Sequence, residues 1–204
     1  MSVENGVLFV SVMPGLPADR VPAFKESDQP TLMWSGTQNV SQFTQILADG
    51  SKMTGKTATQ ADGSYITKSL TVAKDGTKTE TITQGSPLGS DKTRTVVSHV
   101  VALAPNGDKT TSVVYNKVDN KGVSVEPILI QFTKTQTDGT TVTGQTIRQR
   151  DGSIVSESLT LKKDGTKIRS ITKWSALING ARVLVTTSES IELNGTITQS
   201  NTIS

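Results

Sequence analysis

The chain has no cysteine, one histidine, 4% aromatic residues and no run of apolar residues long enough to cross a bilayer as a helix. The missing cysteines exclude disulfides, thiolate metal ligands and thiol nucleophiles, and are compatible with any redox compartment. Scarce aromatics, with 33% hydrophobic residues over 204 positions, predict a thin core. Blocks of like charge are missing too. Residues 1–36 sum to −2, 37–125 to +3 and 126–204 to +2, which gives the net +3. Such an even spread does not suit a dedicated nucleic-acid surface. Motifs of the GxSxG, HExxH or phosphate-loop kind do not occur, so catalysis is not expected. The apolar stretch Gly6–Met13 follows Glu4 rather than a basic residue, which argues against a signal peptide. The sequence leaves the localisation open: synthesis in the cytoplasm is expected, with incorporation into a particle as one course.

What the chain does have is repetition. Residues 48–83 contain Asp-Gly at 49–50, 62–63 and 75–76, a spacing of 13. The pattern returns 89 residues later at 138–139, 151–152 and 164–165. Thr54-Gly55 recurs as Thr143-Gly144, Ser69-Leu70-Thr71 as Ser158-Leu159-Thr160, and Lys74–Lys78 as Lys163–Lys167. The 31 threonines favour half-wet strands over helices, and no segment has a helical period. The expected fold is all-β: a tandemly duplicated antiparallel meander of long Asp-Gly hairpins, closed as a sandwich, a coiled sheet or a barrel. An N-terminal strand and extended Pro-rich arm covers 1–36, with β-meander repeats of about six strands each at 37–125 and 126–204.

If each Asp-Gly were a two-residue type I′ loop, Asp and Gly would both need positive φ, and strands would run to about 11 residues. Positive φ is therefore expected at Gly63, Gly76, Gly152 and Gly165. That register sets Thr59 against Ile66, and Gly55 and Gly144 against Leu70 and Leu159, where the glycines would make room and bend the sheet. It also sorts Ile46, Met53, Ile66, Leu70 and Val72, with Val142, Val155, Leu159, Leu161 and Ile168, onto one core face. Lysines and hydroxyl residues share the other.

Several residues invite a chemical reading and fit a structural one better. Each turn supplies a single carboxylate, whereas calcium takes six to eight oxygens, so no metal is expected. His99 lies in the strand-like run Val96–Val101, and a general base needs an orienting partner and a nucleophile in reach, so it is read as a strand residue. The Thr-x-Thr motifs could order water as in ice-binding surfaces, but in this register they fall on both faces. Asn39-Val40-Ser41 and Asn194-Gly195-Thr196 match the glycosylation pattern, as chance allows in a chain so rich in Ser and Thr. Trp34 and Trp174 do not correspond between repeats and are expected to plug the core or the seam.

The function expected is a non-catalytic structural or assembly protein, a β scaffold docking onto other protein chains or onto itself, with no cofactor. The alternative is a β-barrel binding module holding an apolar or amphipathic small ligand. The arm carries four of the seven prolines and the apolar residues Leu8, Phe9, Phe24, Leu32 and Trp34, which need a surface to lie on. Its other reading is a strand followed by a wrap over the chain's own surface. Deleting residues 1–36 is expected to abolish assembly while circular dichroism shows the β region still folded. Unfolding of the truncated chain would instead make the arm part of the core.

Overall fold

The structure, a computed structural model, describes residues 3–4, 7–8, 39–175, 183–192 and 194–203. Contacts divide the chain into two units, Met1–Trp34 and Ser35–Ser204. In the first, β1 (Val3–Glu4) and β2 (Val7–Leu8) form an antiparallel pair. The expected strand at Val7–Met13 is described only at its first two residues. Of the arm residues, the backbone of Leu8 lies in β2, while Phe9, Phe24, Leu32 and Trp34 lie outside the described residues.

The second unit is a 12-stranded antiparallel meander with no helix among its described residues. Its first six strands are β3 (Asn39–Ile46), β4 (Lys52–Thr59), β5 (Tyr65–Val72), β6 (Lys78–Gly85), β7 (Thr93–Leu103) and β8 (Lys109–Asp119). Then come β9 (Ile128–Thr135), β10 (Thr141–Arg148), β11 (Ile154–Leu161), β12 (Lys167–Trp174), β13 (Leu184–Ile191) and β14 (Ile197–Ile203). Spatial order follows chain order from β3 to β14, and each strand pairs only with its sequence neighbours. The sheet is therefore open. β3 and β14 are its two edges, and it closes into neither barrel nor sandwich.

The loops explain the strand lengths and correct the expected register. Gly63 N–H donates to the Gln60 carbonyl at 3.0 Å and Gln60 N–H to the Ser64 carbonyl at 2.9 Å. Thr59 consequently stands against Tyr65 rather than Ile66. The connection is a three-residue loop, Ala61-Asp62-Gly63: a type I turn followed by a bulge in which only the glycine has positive φ. Gly63, Gly76, Gly152 and Gly165 have φ of 81°, 85°, 82° and 83°, while no aspartate among the described residues has positive φ. The aspartate has a different task. Its Oδ1 accepts the N–H two residues on, at 2.8 Å for Asp62–Ser64, Asp75–Thr77 and Asp151–Ser153, so the side chain closes the turn from outside. Five residues of each 13 serve the turn, and strands β3 to β6 and β9 to β12 have eight residues, not about 11.

One residue more in each loop moves alternate strands to the opposite face. Gly55 stands between Phe43 and Ser69, and Gly144 between Phe132 and Ser158; neither faces the expected leucine. A Cβ on Gly55 would sit 2.5 Å from Phe43 Cζ and 2.8 Å from the Lys68 carbonyl oxygen. On Gly144 it would sit 2.8 Å from Phe132 Cζ. The glycines make room for a ring lying across the neighbouring strand, a known means of stabilising glycine within a sheet. Tyr65 and Gly85 repeat the arrangement. At the corresponding positions of the second repeat the large residue has changed strand: Ile154 stands against Trp174, which is half-buried at the sheet's end rather than plugging a core.

Burial within the sheet is sparse among the described residues. Among the described residues the buried hydrophobics are Ala58, Val113, Val118 and Ile147. The expected core face does not exist as such. Ile46, Ile66, Leu70 and Val72 do share a face, but Met53 is on the other. In the second repeat Val155, Leu159 and Leu161 share a face, with Val142 and Ile168 opposite.

Two substitutions test this geometry. Gly55→Ala is expected to destabilise the fold by about 1–3 kcal/mol through overpacking. A double-mutant cycle should show coupling of at least about 0.5 kcal/mol to Phe43→Ala and none to Leu70→Ala. The reverse pattern in denaturant melts would restore the two-residue turn. In the loop before β7, Lys92 takes the bulge position at φ 57° in place of glycine. Lys92→Gly should therefore stabilise the protein by about 0.5–1 kcal/mol, the left-handed penalty less the added chain entropy.

Candidate functional site

Tracing the register across the strands gives each face a distinct chemistry. One is a hydroxyl face. Ser41, Thr57, Thr67, Thr83, Ser98, Val114, Ile130, Thr146, Ser156, Thr172, Thr186 and Thr202 stand in unbroken cross-strand register from edge to edge. Its hydroxyls bond to one another: Thr57–Thr67, Thr83–Ser98 and Thr146–Ser156 at 2.9 Å, and Thr172–Thr186 at 3.4 Å. Cross-strand pairs of this kind contribute about 0.2–1 kcal/mol each. The sequence reading scattered these threonines over both faces; the corrected register gathers much of the Thr and Ser here, with their hydrogen bonds directed along the sheet.

The other face carries most of the strand lysines and the exposed aliphatics, while Lys134 stands on the hydroxyl face. Nine strand residues count as exposed large hydrophobics, namely Val40, Ile46, Leu70, Val72, Leu103, Leu161, Ile191, Ile197 and Ile203, and all nine lie on this face. At one end of the strands they alternate with lysine. The row reads Ile46, Lys52, Val72, Lys78, Leu103, Lys109, Thr135, Thr141, Leu161, Lys167, Ile191, Ile197. A lysine lays its methylene stem beside an aliphatic neighbour and keeps the ammonium in water, so such a row offers grease and positive charge together. Elsewhere on this face Arg169 donates to Glu157 Oε1 from Nε at 3.0 Å and from Nη2 at 2.6 Å. The matching positions of the first repeat hold Lys68 and Glu80, with the signs exchanged.

The turns form a third chemical layer at the strand ends. The Ser64 hydroxyl and N–H hold the Asp62 carboxyl below the usual carboxylate range. Backbone N–H groups of Ser51, Thr77 and Thr166 do the same for Asp49, Asp75 and Asp164. The Thr93 hydroxyl lowers Asp91, and the Thr137 N–H lowers Asp108, tying neighbouring turns together. Successive Asp-Gly turns alternate between the two ends of the sheet, and each carboxylate already accepts hydrogen bonds from its own or an adjacent loop. No group of three or more His, Asp or Glu that could hold a metal ion occurs among the described residues.

His99 stands between Ile82 and Val113 on the lysine face. A shallow, open hollow lies around Lys56, Lys68, Leu70 and Glu80 at the β3 end of the sheet. It opens on a flat surface and offers no enclosed volume for a ligand. Among the described residues no helix is long and apolar enough to cross a membrane. No protein-family model, curated protein or solved structure matches the chain.

Sequence reasoning passed over the two faces because it used the wrong loop. A signal for the right one was present. In both repeats a phenylalanine precedes the strand glycine by 12 positions, Phe43 before Gly55 and Phe132 before Gly144. A three-residue loop is what brings two such residues directly opposite each other.

The lowered aspartates give the fold a signed pH dependence. Their folded values lie below those of the unfolded chain, so the stability they add is present above about pH 4 and is lost as pH falls through the folded values. The melting temperature is expected to be level from neutral pH to about pH 5 and to decline below about pH 4. Substituting Asp62, Asp75 and Asp164 together by Asn, which keeps an acceptor oxygen, should flatten that decline. An unchanged acid limb in the triple variant would detach the turn carboxylates from stability.

Proposed function

We propose that this protein is a non-catalytic structural component, a β scaffold that docks onto other protein chains within a larger particle or filament. The observation that carries this reading is the one-sidedness of the exposed aliphatics. All nine that lie in strands share a face, where a lone soluble sheet would gain by dispersing them. Their alternation with exposed lysines suits a partner surface that is itself amphipathic, apolar in part and acidic in part. The hydroxyl pairs bonded across strands support the same reading by supplying stiffness rather than a site. A barrel carrying a small ligand finds no support in an open sheet whose edges do not meet.

The full chain purified without denaturant is expected to sediment above the mass of one chain, alone or with co-purifying protein. Its organic extract should contain no stoichiometric small molecule. The triple substitution Val72→Thr, Leu103→Thr and Leu161→Thr should release co-purifying protein while leaving the β circular-dichroism signal in place. A monomer that yields about one extractable small molecule per chain would overturn the scaffold reading.

A further inference from the structure

The two edges of the sheet are chemically unlike every strand between them. β3, with sequence NVSQFTQI, and β14, with ITQSNTI, contain no Lys, Arg, Asp or Glu, whereas each of the ten inner strands contains at least one. Natural sheets guard their edges with charge, especially lysine, and with proline. Here both edges lack those guards. They also hold the four most exposed aliphatics of the strands: Ile203 at 75%, Ile46 at 64%, Val40 at 60% and Ile197 at 59%.

The chain also contains a template for what would cover them. β9 corresponds to β3, 89 residues on, and β14 follows its Asn194-Gly195 turn as β8 follows Asn106-Gly107. β8 and β9 are paired within the sheet, with Lys109 against Thr135 and Tyr115 against Leu129. Carrying that register over to the corresponding edges sets Ile197 of one copy against Ile46 of the next, and Ile203 against Val40. All four lie on the lysine face, so both pairs come together on the same side. On the opposite face Thr202 meets Ser41, which continues the hydroxyl row from copy to copy. No like charges meet anywhere along the junction.

We propose that the outer edge of β14 pairs antiparallel with the outer edge of β3 of a second copy of this chain, in the β8–β9 register, and that the chain assembles head to tail. The interface is heterologous and both edges stay available in every dimer, so assembly proceeds into an open filament. This rests on the scaffold reading and names one partner for it. It also makes the alternating aliphatic and lysine row continuous through the filament, since Ile197 of one copy adjoins Ile46 of the next.

The test uses the full chain and two edge-blocked variants, Val40→Lys with Ile46→Lys, and Ile197→Lys with Ile203→Lys. The parent is expected to grow in sedimentation velocity with concentration, and each variant alone to sediment as a monomer. A 1:1 mixture of the variants should stop at the dimer, because one unblocked β14 edge and one unblocked β3 edge remain. Leu103→Lys, on the same face but inside the sheet, should assemble like the parent. The native chain lacks cysteine, so a second measurement is clean. Oxidised chains carrying Val40→Cys with Ile203→Cys should form a disulfide-linked ladder of oligomers, and chains carrying Ile46→Cys with Ile203→Cys should not. Blocked variants that assemble as the parent does would overturn the edge pairing while leaving the scaffold reading standing. A parent that stays monomeric to its solubility limit would overturn the edge pairing outright. A mixture that remains monomeric, or grows past the dimer, would do the same.

Discussion

In the described three-residue loops the third residue sits at positive φ, and at nine of them glycine fills that place. From this constraint the rest of the sheet follows. With glycine at the bulge and aspartate one position before it, the aspartate can stay at negative φ and use its carboxylate to hold the N–H beyond the glycine. The loop then takes three residues rather than two, and the register across each hairpin is set. Register decides which residues share a face. In this chain it gathers most of the hydroxyls on one side and most of the strand lysines, with the exposed aliphatics, on the other.

Only four hydrophobic residues are buried among those described, so the sheet does not draw its stability from a dry core of its own. Its cohesion is lateral. Backbone ladders run between all twelve strands, and side chains reinforce them strand to strand: hydroxyl to hydroxyl, ring over glycine, guanidinium to carboxylate. Arg94 shows how these elements combine. Its guanidinium lies 5.5 Å from the centre of the Tyr65 ring and donates to the Gly63 carbonyl at 3.2 Å, so one side chain joins a turn, a ring and a third strand. Each such contact is worth little alone, and repetition across the sheet makes the sum sufficient.

The all-β class, the antiparallel meander and six strands on each side of Pro127 were legible in the sequence, because Asp-Gly turns at a spacing of 13 leave little else for the chain to do. The face assignment was not. Asp-Gly fits a two-residue loop with both residues at positive φ and a three-residue loop with only the glycine there, and the two differ by one residue of register. That residue put Ser69 and Ser158 where Leu70 and Leu159 were expected, and set Phe43 and Phe132 against Gly55 and Gly144 from the preceding strand. The openness of the sheet was equally hidden. Alternation of apolar and polar residues looks the same whether the apolar side meets a second layer or solvent. The absence of charge from β3 and β14 could have been read directly, had the strands been compared one with another.

A chain that nearly repeats itself risks pairing a strand of one repeat with the wrong strand of the other, and the exchanged residues bear on that hazard. In the native sheet Tyr65 faces Gly85 and Ile154 faces Trp174. Were β5 to pair with β12, Tyr65 would meet Trp174, and the Lys68 ammonium would lie near the Arg169 guanidinium. Were β11 to pair with β6, Ile154 would face an empty glycine and Glu157 would approach Glu80. Both crossed products bring like charges together, whereas both native pairs set opposite charges side by side. The divergence between the repeats thus disfavours shuffled pairings that the shared Asp-Gly turns would otherwise accept.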